Sequence, residues 1–253
     1  MTKYIFPLLA FLIGLSKITA QDVYSIYETI PNADIPCRVM KPIKFDSAKK
    51  YPVILSLHGA GGKGTNNRKQ LKDWNRQLAD PKRRNQFPCY VVAPQAPSLW
   101  NEEQLKIIQK IIAKLPSADL DRVYIMGHSM GGHGTYIYIQ LAPKYFAAAA
   151  PSAGSGLKRT EEFIDAQKIK DIPIWAFHGD KDRVCPYEKQ LKVFDALKKL
   201  NGNMKLTTWR GDNHGVSGKM IEPTENGKTE LSSKRCDNED DFLTWLFKQR
   251  RNH

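Results

Sequence analysis

From about residue 50 onward, short apolar runs alternate with longer segments in which apolar residues return every three to four positions. The short runs Val53 to Leu57, Tyr90 to Ala93, Arg122 to Met126, Phe146 to Pro151, Ile174 to His178 and Lys205 to Trp209 have strand length. Between them, Glu102 to Leu115 carries Leu105, Ile108, Ile111, Ile112 and Leu115 on one face, and Tyr187 to Leu200 carries Leu191, Phe194, Leu197 and Leu200. Both read as amphipathic helices. A run of helical character, Gly131 to Leu141, follows the third strand, and a last helix, about Glu239 to Lys248, turns Phe242, Trp245 and Leu246 towards a core. Strands alternating with helices predict an α/β protein with a mostly parallel central sheet flanked by helices on both faces. The region before residue 50 is expected to add one or two antiparallel edge strands, and no repeat or linker divides residues 21–253, which are expected to form one domain.

The first twenty residues follow a different pattern. Lys3 precedes an apolar stretch from Tyr4 to Leu15, and the small residues Thr19 and Ala20 precede Gln21. This is the pattern of a secretory signal peptide cleaved after Ala20, and it is shorter than a bilayer-spanning helix. A secreted or periplasmic product without stable membrane insertion is therefore expected. In that setting the even number of cysteines, Cys37, Cys89, Cys185 and Cys236, allows up to two disulfides with no pairing specified. Their spacing is too wide for a zinc or CxxC site. The chain has 253 residues and a formal net charge of +13, with the basic residues scattered and no aromatic-interleaved motif, which argues for a solvated basic surface and against nucleic acid as a partner.

The chemistry concentrates at Gly127-His128-Ser129-Met130-Gly131, a GxSxG pattern fed by a strand and followed by a helical run. That context is the one a nucleophile on a sharp strand-to-helix turn requires. A serine hydroxyl needs a base to take its proton and an acid to hold the base in the right tautomer. Of the histidines after Ser129, His214 lies in the loop Gly211-Asp212-Asn213-His214-Gly215 beyond the final strand of the series, whereas His178 sits at a strand end and His253 is the terminal residue. Asp182, on the loop after the preceding strand, is the preferred acid; Asp180 and Asp212 are the alternatives. Oxyanion donors are expected from the backbone amides of Met130 and of Ala60, in the loop His58-Gly59-Ala60-Gly61-Gly62. That loop lacks the ending of a phosphate-binding loop, because Gly62-Lys63 is followed by Gly64, and His58 reads as its buttress. Gln95, Trp100, Tyr136 and Trp209 lie near predicted strand ends and are candidates for the substrate-binding wall. Only about Ser152 to Asp171 separates two neighbouring strands where a cap domain would be inserted, so a large apolar lid is not expected. No metal or organic cofactor is called for.

The segments LSLHGAGG (55–62), VVAPQAP (91–97), DRVYIMGHSMGGHGTY (121–136), FAAAAPSAG (146–154), IWAFHGDKDRVCP (174–186) and GDNHGV (211–216) resemble, in order, the secreted bacterial α/β-hydrolase esterases related to carbohydrate esterase family one and to polyhydroxyalkanoate depolymerases, including those labelled predicted peptidases. The resemblance covers most of residues 50–250. It implies an α/β-hydrolase fold, Ser129 as nucleophile, Asp182 as acid and His214 as base, and feruloyl or acetyl esters of xylan as substrates, either polymeric or as small esters. A serine peptidase or a polyester or lipid esterase would use the same triad, and a polysaccharide-binding module would keep the fold without turnover. The polar stretch Val216 to Asp237 departs from the commoner pattern and is expected to border the site.

Overall fold

The computed structural model describes residues 23–155 and 163–251, and the expected signal segment, 1–20, lies outside them. Nine strands form one sheet: β1 (Tyr27–Thr29), β2 (Cys37–Met40), β3 (Tyr51–Leu57), β4 (Tyr90–Pro94), β5 (Ala118–His128), β6 (Ala148–Ser152), β7 (Ile174–Gly179), β8 (Met204–Trp209) and β9 (Gly227–Leu231). Their order is β1-β2-β4-β3-β5-β6-β7-β8-β9. The six strands from β4 to β8 run parallel, while β1 and β2 at one edge and β9 at the other are antiparallel. This is the α/β-hydrolase arrangement.

Seven helices accompany the sheet among the described residues: α1 (Asp73–Leu78), α2 (Pro81–Gln86), α3 (Glu102–Ala113), α4 (Met130–Leu141), α5 (Ala166–Ile169), α6 (Tyr187–Lys199) and α7 (Phe242–Lys248). Asn101 starts α3 as half of a reciprocal cap: its side chain accepts from the Gln104 amide at 3.0 Å, and Gln104 accepts from the Asn101 amide at 3.2 Å. Strand alternation then sorts the core into two layers. Val53, Leu55 and Leu57 of β3 pack towards α3, α4 and α6 with Val123 and Ile125 of β5. Ile54, Tyr124 and Met126 point the other way, towards Trp74 of α1 and the Phe242, Trp245 and Leu246 face of α7. Both faces being covered explains why the central strands read as unbroken apolar runs. The second layer is anchored by an aromatic block, in which Trp175 meets Trp245 edge-on at 5.4 Å and Phe177 stacks on Trp209 at 5.6 Å.

The predicted strands and helices are all present, with ends displaced by a few residues; the expected strand Phe146 to Pro151 forms at Ala148–Ser152. Helices α1, α2 and α5 and strand β9 were not expected. All five residues of β9 are exposed, so it lacks the alternation that announces a strand. It forms because β8 offers an unpaired edge, and the pairing places Gly227 against Trp209, where a Cβ would come within 2.9 Å of the indole nitrogen. Between β6 and β7 the described residues hold only α5, in keeping with the absence of a large cap.

The disulfide expectation is corrected: Cys37, Cys89, Cys185 and Cys236 are all buried free thiols. Cys37 and Cys89 belong to opposite layers of the core, and Cys236 donates to the Met204 carbonyl at 3.4 Å. An even count permits bridging only where the fold brings Cβ atoms within about 4 Å, and here each thiol fills its own packing site. Burial pushes Cys37, Cys89 and Cys185 up to about 12.

Three imidazoles are also held below their ordinary range by burial, His58 at about 4, His128 at about 3 and His133 at about 4. Each binds a proton in the unfolded chain near pH 6.5 but not in the folded one, so the stability they permit is complete above that pH and is lost as pH falls towards their folded values. Two outcomes follow. Reducing agent will leave the thermal transition unmoved, and thiol titration of the denatured chain will count four free thiols. The melting temperature will fall as pH is lowered from 7 to 5, and His133→Gln will flatten that slope by up to one proton, roughly 1.4 kcal/mol per pH unit; calorimetry across that range checks it.

Candidate active site

The turn between β5 and α4 is built by backbone contact. Ser129 adopts φ 58° and ψ −120°, a left-handed conformation worth about 1–3 kcal/mol of strain for a residue with a side chain. It is held by its own amide, which donates to the Ser152 carbonyl at 2.9 Å, and by its carbonyl, which accepts from the His133 amide at 2.9 Å. The neighbouring chain comes so close that a Cβ on Gly131 would lie 2.0 Å from the Leu57 carbonyl oxygen, and one on Gly127 2.7 Å from the same atom. Those two glycines let β5, the turn and α4 sit directly on the end of β3.

His214 arrives on the loop after β8. Its Nδ1 lies 2.8 Å from Asp182 Oδ2 and its Nε2 lies 2.8 Å from Ser129 Oγ. An ionised carboxylate only accepts, so Nδ1 carries the proton, and Nε2 is left to accept from the Ser129 hydroxyl. Asp182, on the loop after β7, also receives the amides of Val184 at 2.8 Å and Cys185 at 3.0 Å on Oδ1. Burial pushes the Asp182 carboxyl up, but hydrogen bonds from His178, His214 and the Cys185 amide outweigh it and hold the group well below the usual carboxylate range.

The two other aspartates do not reach His214. Asp180 accepts from the Gly211 amide at 2.7 Å, and Asp212 pairs with Lys219. Asp180 thereby ties the β7 loop to the β8 loop, a junction extended by the Lys181 amide donating to the Asp212 carbonyl at 2.8 Å. Gly179 permits it, since a Cβ there would lie 2.4 Å from the Asn213 carbonyl.

Ala60 begins a short 3-10 turn, Ala60–Gly62, and lines the same cavity as Ser129. Met130 is the first residue of α4, where helix amides lack intrahelical acceptors and the dipole favours negative charge. The Ala60 loop rests on His58: Nε2 accepts from the Ala96 amide at 2.9 Å, so Nδ1 carries the proton and donates to the Gly59 carbonyl at 2.8 Å. His58 is therefore a buttress, as its position in the loop suggested.

Four expected wall residues are corrected. Gln95, Trp100, Tyr136 and Trp209 are at most 2% exposed, and none lines the cavity. Gln95 braces the Ala60 loop by donating to the Gly62 carbonyl at 3.0 Å, Trp100 packs on the His58 ring, Tyr136 donates to Gln190 and Trp209 stacks on Phe177. Strand ends of a doubly covered sheet bury large side chains before they reach the rim. The cavity, about 540 Å³, is instead walled by Tyr24, Leu71, Lys72 and Trp74 on one side and by Val184 and Ser217 on the other. Ser217 is the part of the expected bordering stretch Val216 to Asp237 that reaches it. Burial pulls the half-buried Lys72 ammonium below the usual lysine range.

Two residues near the triad escaped the sequence reading as parts of the site. His128 lies with its ring 4.8 Å from that of His214 and its Nδ1 3.0 Å from Ser152 Oγ. His178 places Nε2 3.2 Å from Asp182 Oδ2. Their signal was present, since one sits inside the GxSxG pattern and the other opens His178-Gly179-Asp180-Lys181-Asp182.

Among known proteins, a thermostable esterase of solved structure is similar over 90% of this chain and 64% of its own, at 31% identity and a TM-score of 0.70. Acyl-protein thioesterase 1 of Neurospora crassa is 30% identical over 121 residues, which are 46% of this chain and 49% of that protein. A bifunctional acetylxylan esterase/xylanase of Neocallimastix patriciarum is 29% identical over 151 residues, 56% of this chain and 21% of that one. The chain thus spans about half or less of the length of these two curated relatives. The model of one family matches residues 92–245, a stretch that runs from within β4 to within α7 and takes in Ser129, Asp182 and His214, and by that match the chain belongs to the dienelactone hydrolase family.

Proposed function

We propose that this chain is an exported serine esterase that cleaves acyl esters of plant cell-wall polysaccharide, feruloyl or acetyl groups on xylan, through an acyl-enzyme. The observation that carries the reading is the unbroken hydrogen-bonded series from Ser129 Oγ through His214 to Asp182, both links at 2.8 Å, opening on a cavity of about 540 Å³. His214 takes the Ser129 proton as the hydroxyl oxygen attacks the ester carbonyl, and Asp182 stabilises the imidazolium that results. The amides of Ala60 and Met130 donate to the oxyanion. His214 then returns the proton to the leaving alcohol, and a water molecule, deprotonated by the same imidazole, releases the acid. No step requires a metal or cofactor.

The choice of acyl polysaccharide is supported by the similarity to an acetylxylan esterase/xylanase and by a cavity that, among the described residues, no cap covers, which admits an acyl group hanging from a bulky polymer. Export belongs to the same proposal and is supported by the pattern of residues 1–20.

Release of acetate and ferulate from acetylated and feruloylated xylan, beside a short-chain aryl ester and a peptide anilide, tests the reading. Release of either acid by the wild type alone is the expected outcome; cleavage of the anilide in preference to every ester would replace the esterase with a peptidase. Ser129→Ala is expected to lower kcat by ~10⁴-fold or more with the melting temperature unchanged. Asp182→Asn will cost ~10³–10⁴-fold, because the amide favours the wrong imidazole tautomer, whereas Asp180→Asn, which keeps an acceptor for Gly211, will stay within about threefold. The mass of the product from an exporting host will begin at Gln21.

A further inference from the structure

We propose that His178 is a positioning residue for the acid and base, a second imidazole that locks the Asp182 carboxylate in line with His214; this rests on the triad reading above. His178, the penultimate residue of β7, is fully buried and holds its Nε2 2.8 Å from the Cys185 carbonyl and 3.2 Å from Asp182 Oδ2. A carbonyl only accepts, so Nε2 carries the proton and shares it between Cys185 and Asp182, and the bare Nδ1 has no partner in its buried setting. The carboxylate of Asp182 is thus faced by four N–H groups. Oδ1 takes the amides of Val184 and Cys185, and Oδ2 takes both imidazoles.

The four bonds divide the work between a strand and a loop. Val184 and Cys185 belong to the loop that carries Asp182 and would move with it. His178 does not: it stands on β7, whose register with β8 runs from Ile174↔Met204 to Gly179↔Trp209. Its proton is therefore the contact through which the rigid sheet restrains the acid, and its bond to the Cys185 carbonyl restrains the loop itself. The ring is held in turn by Tyr187, at 5.6 Å between centroids, whose hydroxyl bonds Thr208 at 2.7 Å on the neighbouring strand. Without this donor the carboxylate rotates about its Cβ bond more freely, and the fraction of time in which His214 holds both the right tautomer and the right aim at Ser129 falls.

The experiment is a double-mutant cycle on an aryl ester, with His178→Leu and His178→Gln each made in the wild-type and Asp182→Asn backgrounds. The Leu variant is expected to lose ~10–100-fold in kcat with KM within about twofold, and the Gln variant, whose terminal amide reaches the position of Nε2, to recover most of it. In the Asp182→Asn background, where the carboxylate is gone, Leu should cost no more than about twofold. Equal proportional losses in the two backgrounds, or an unchanged kcat for Leu beside an active wild type, would overturn the proposal. Should Leu fail to fold, His178→Asn takes its place: its shorter amide falls near Nδ1, so Asn must be slow where Gln is fast, and equal rates for the two would sink the idea. A wild type that hydrolyses no ester would count against the esterase reading instead.

Discussion

The site depends first on a steric constraint, the approach of the β5–α4 turn to the end of β3. Gly131 presses so close to the Leu57 carbonyl that any side chain there would overlap it, and Gly127 is confined by the same oxygen. This contact lets the backbone fold back on itself within one residue and leaves Ser129 in a left-handed conformation that an unconstrained serine would rarely adopt. The strain persists because the bonds to Ser152 and His133 over-determine the turn. Everything else in the site is measured from the hydroxyl placed there. The Ala60 loop follows β3, so the contact that shapes the turn also brings the expected oxyanion donors onto one body.

The electrostatics follow from burial and are managed by fixing protons. Asp182 is kept ionised by donors that outweigh its desolvation, and it is the buried carboxylate in contact with His214. In and beside the site, three histidines are placed so that a neutral ring serves. His58 needs one nitrogen to donate and one to accept, His178 needs a single proton at Nε2, and His128, held at about 3 by burial and by its neighbour His214, lies against the base without competing for the acid's proton acceptors. A charged ring in any of these places would carry an unpaired proton into the interior.

The loops that carry acid and base are joined to each other as well as to the sheet. Asp180, the alternative acid, is spent on the Gly211 amide, and the Lys181 amide meets the Asp212 carbonyl. These bonds tie the two loops to each other, which suits a pair of side chains whose separation must hold to a few tenths of an ångström. The opposite wall of the cavity, Tyr24, Leu71, Lys72 and Trp74, comes from parts of the chain outside the elements that carry the triad. The far wall of the cavity and the Ser129, His214 and Asp182 side chains are therefore supplied by different segments of the chain.

The alternation of apolar runs and helical periods was enough to determine the class, the six central strands and the elbow, because those features depend on local pattern and on which residue types permit a sharp turn. That Ser129 and His214 would meet was legible for the same reason, one from its flanking glycines and the other from its place in the chain order. Choosing Asp182 over Asp180 also came from loop length, and the fold supplies the reason, since the Gly211 amide occupies the nearer carboxylate. Other features were beyond sequence reasoning. Strand β9 has no pattern of its own and exists because β8 has a free edge. Whether a large aromatic near a strand end is wall or core depends on what covers it, and Trp100, Tyr136 and Trp209 proved to be covered. Four cysteines allow bridges by number, but only the packing put Cys37 and Cys89 on opposite faces of the sheet. Local pattern determines which elements form and which groups can react; contacts between residues distant in the chain decide what is buried, what is paired and what faces the substrate.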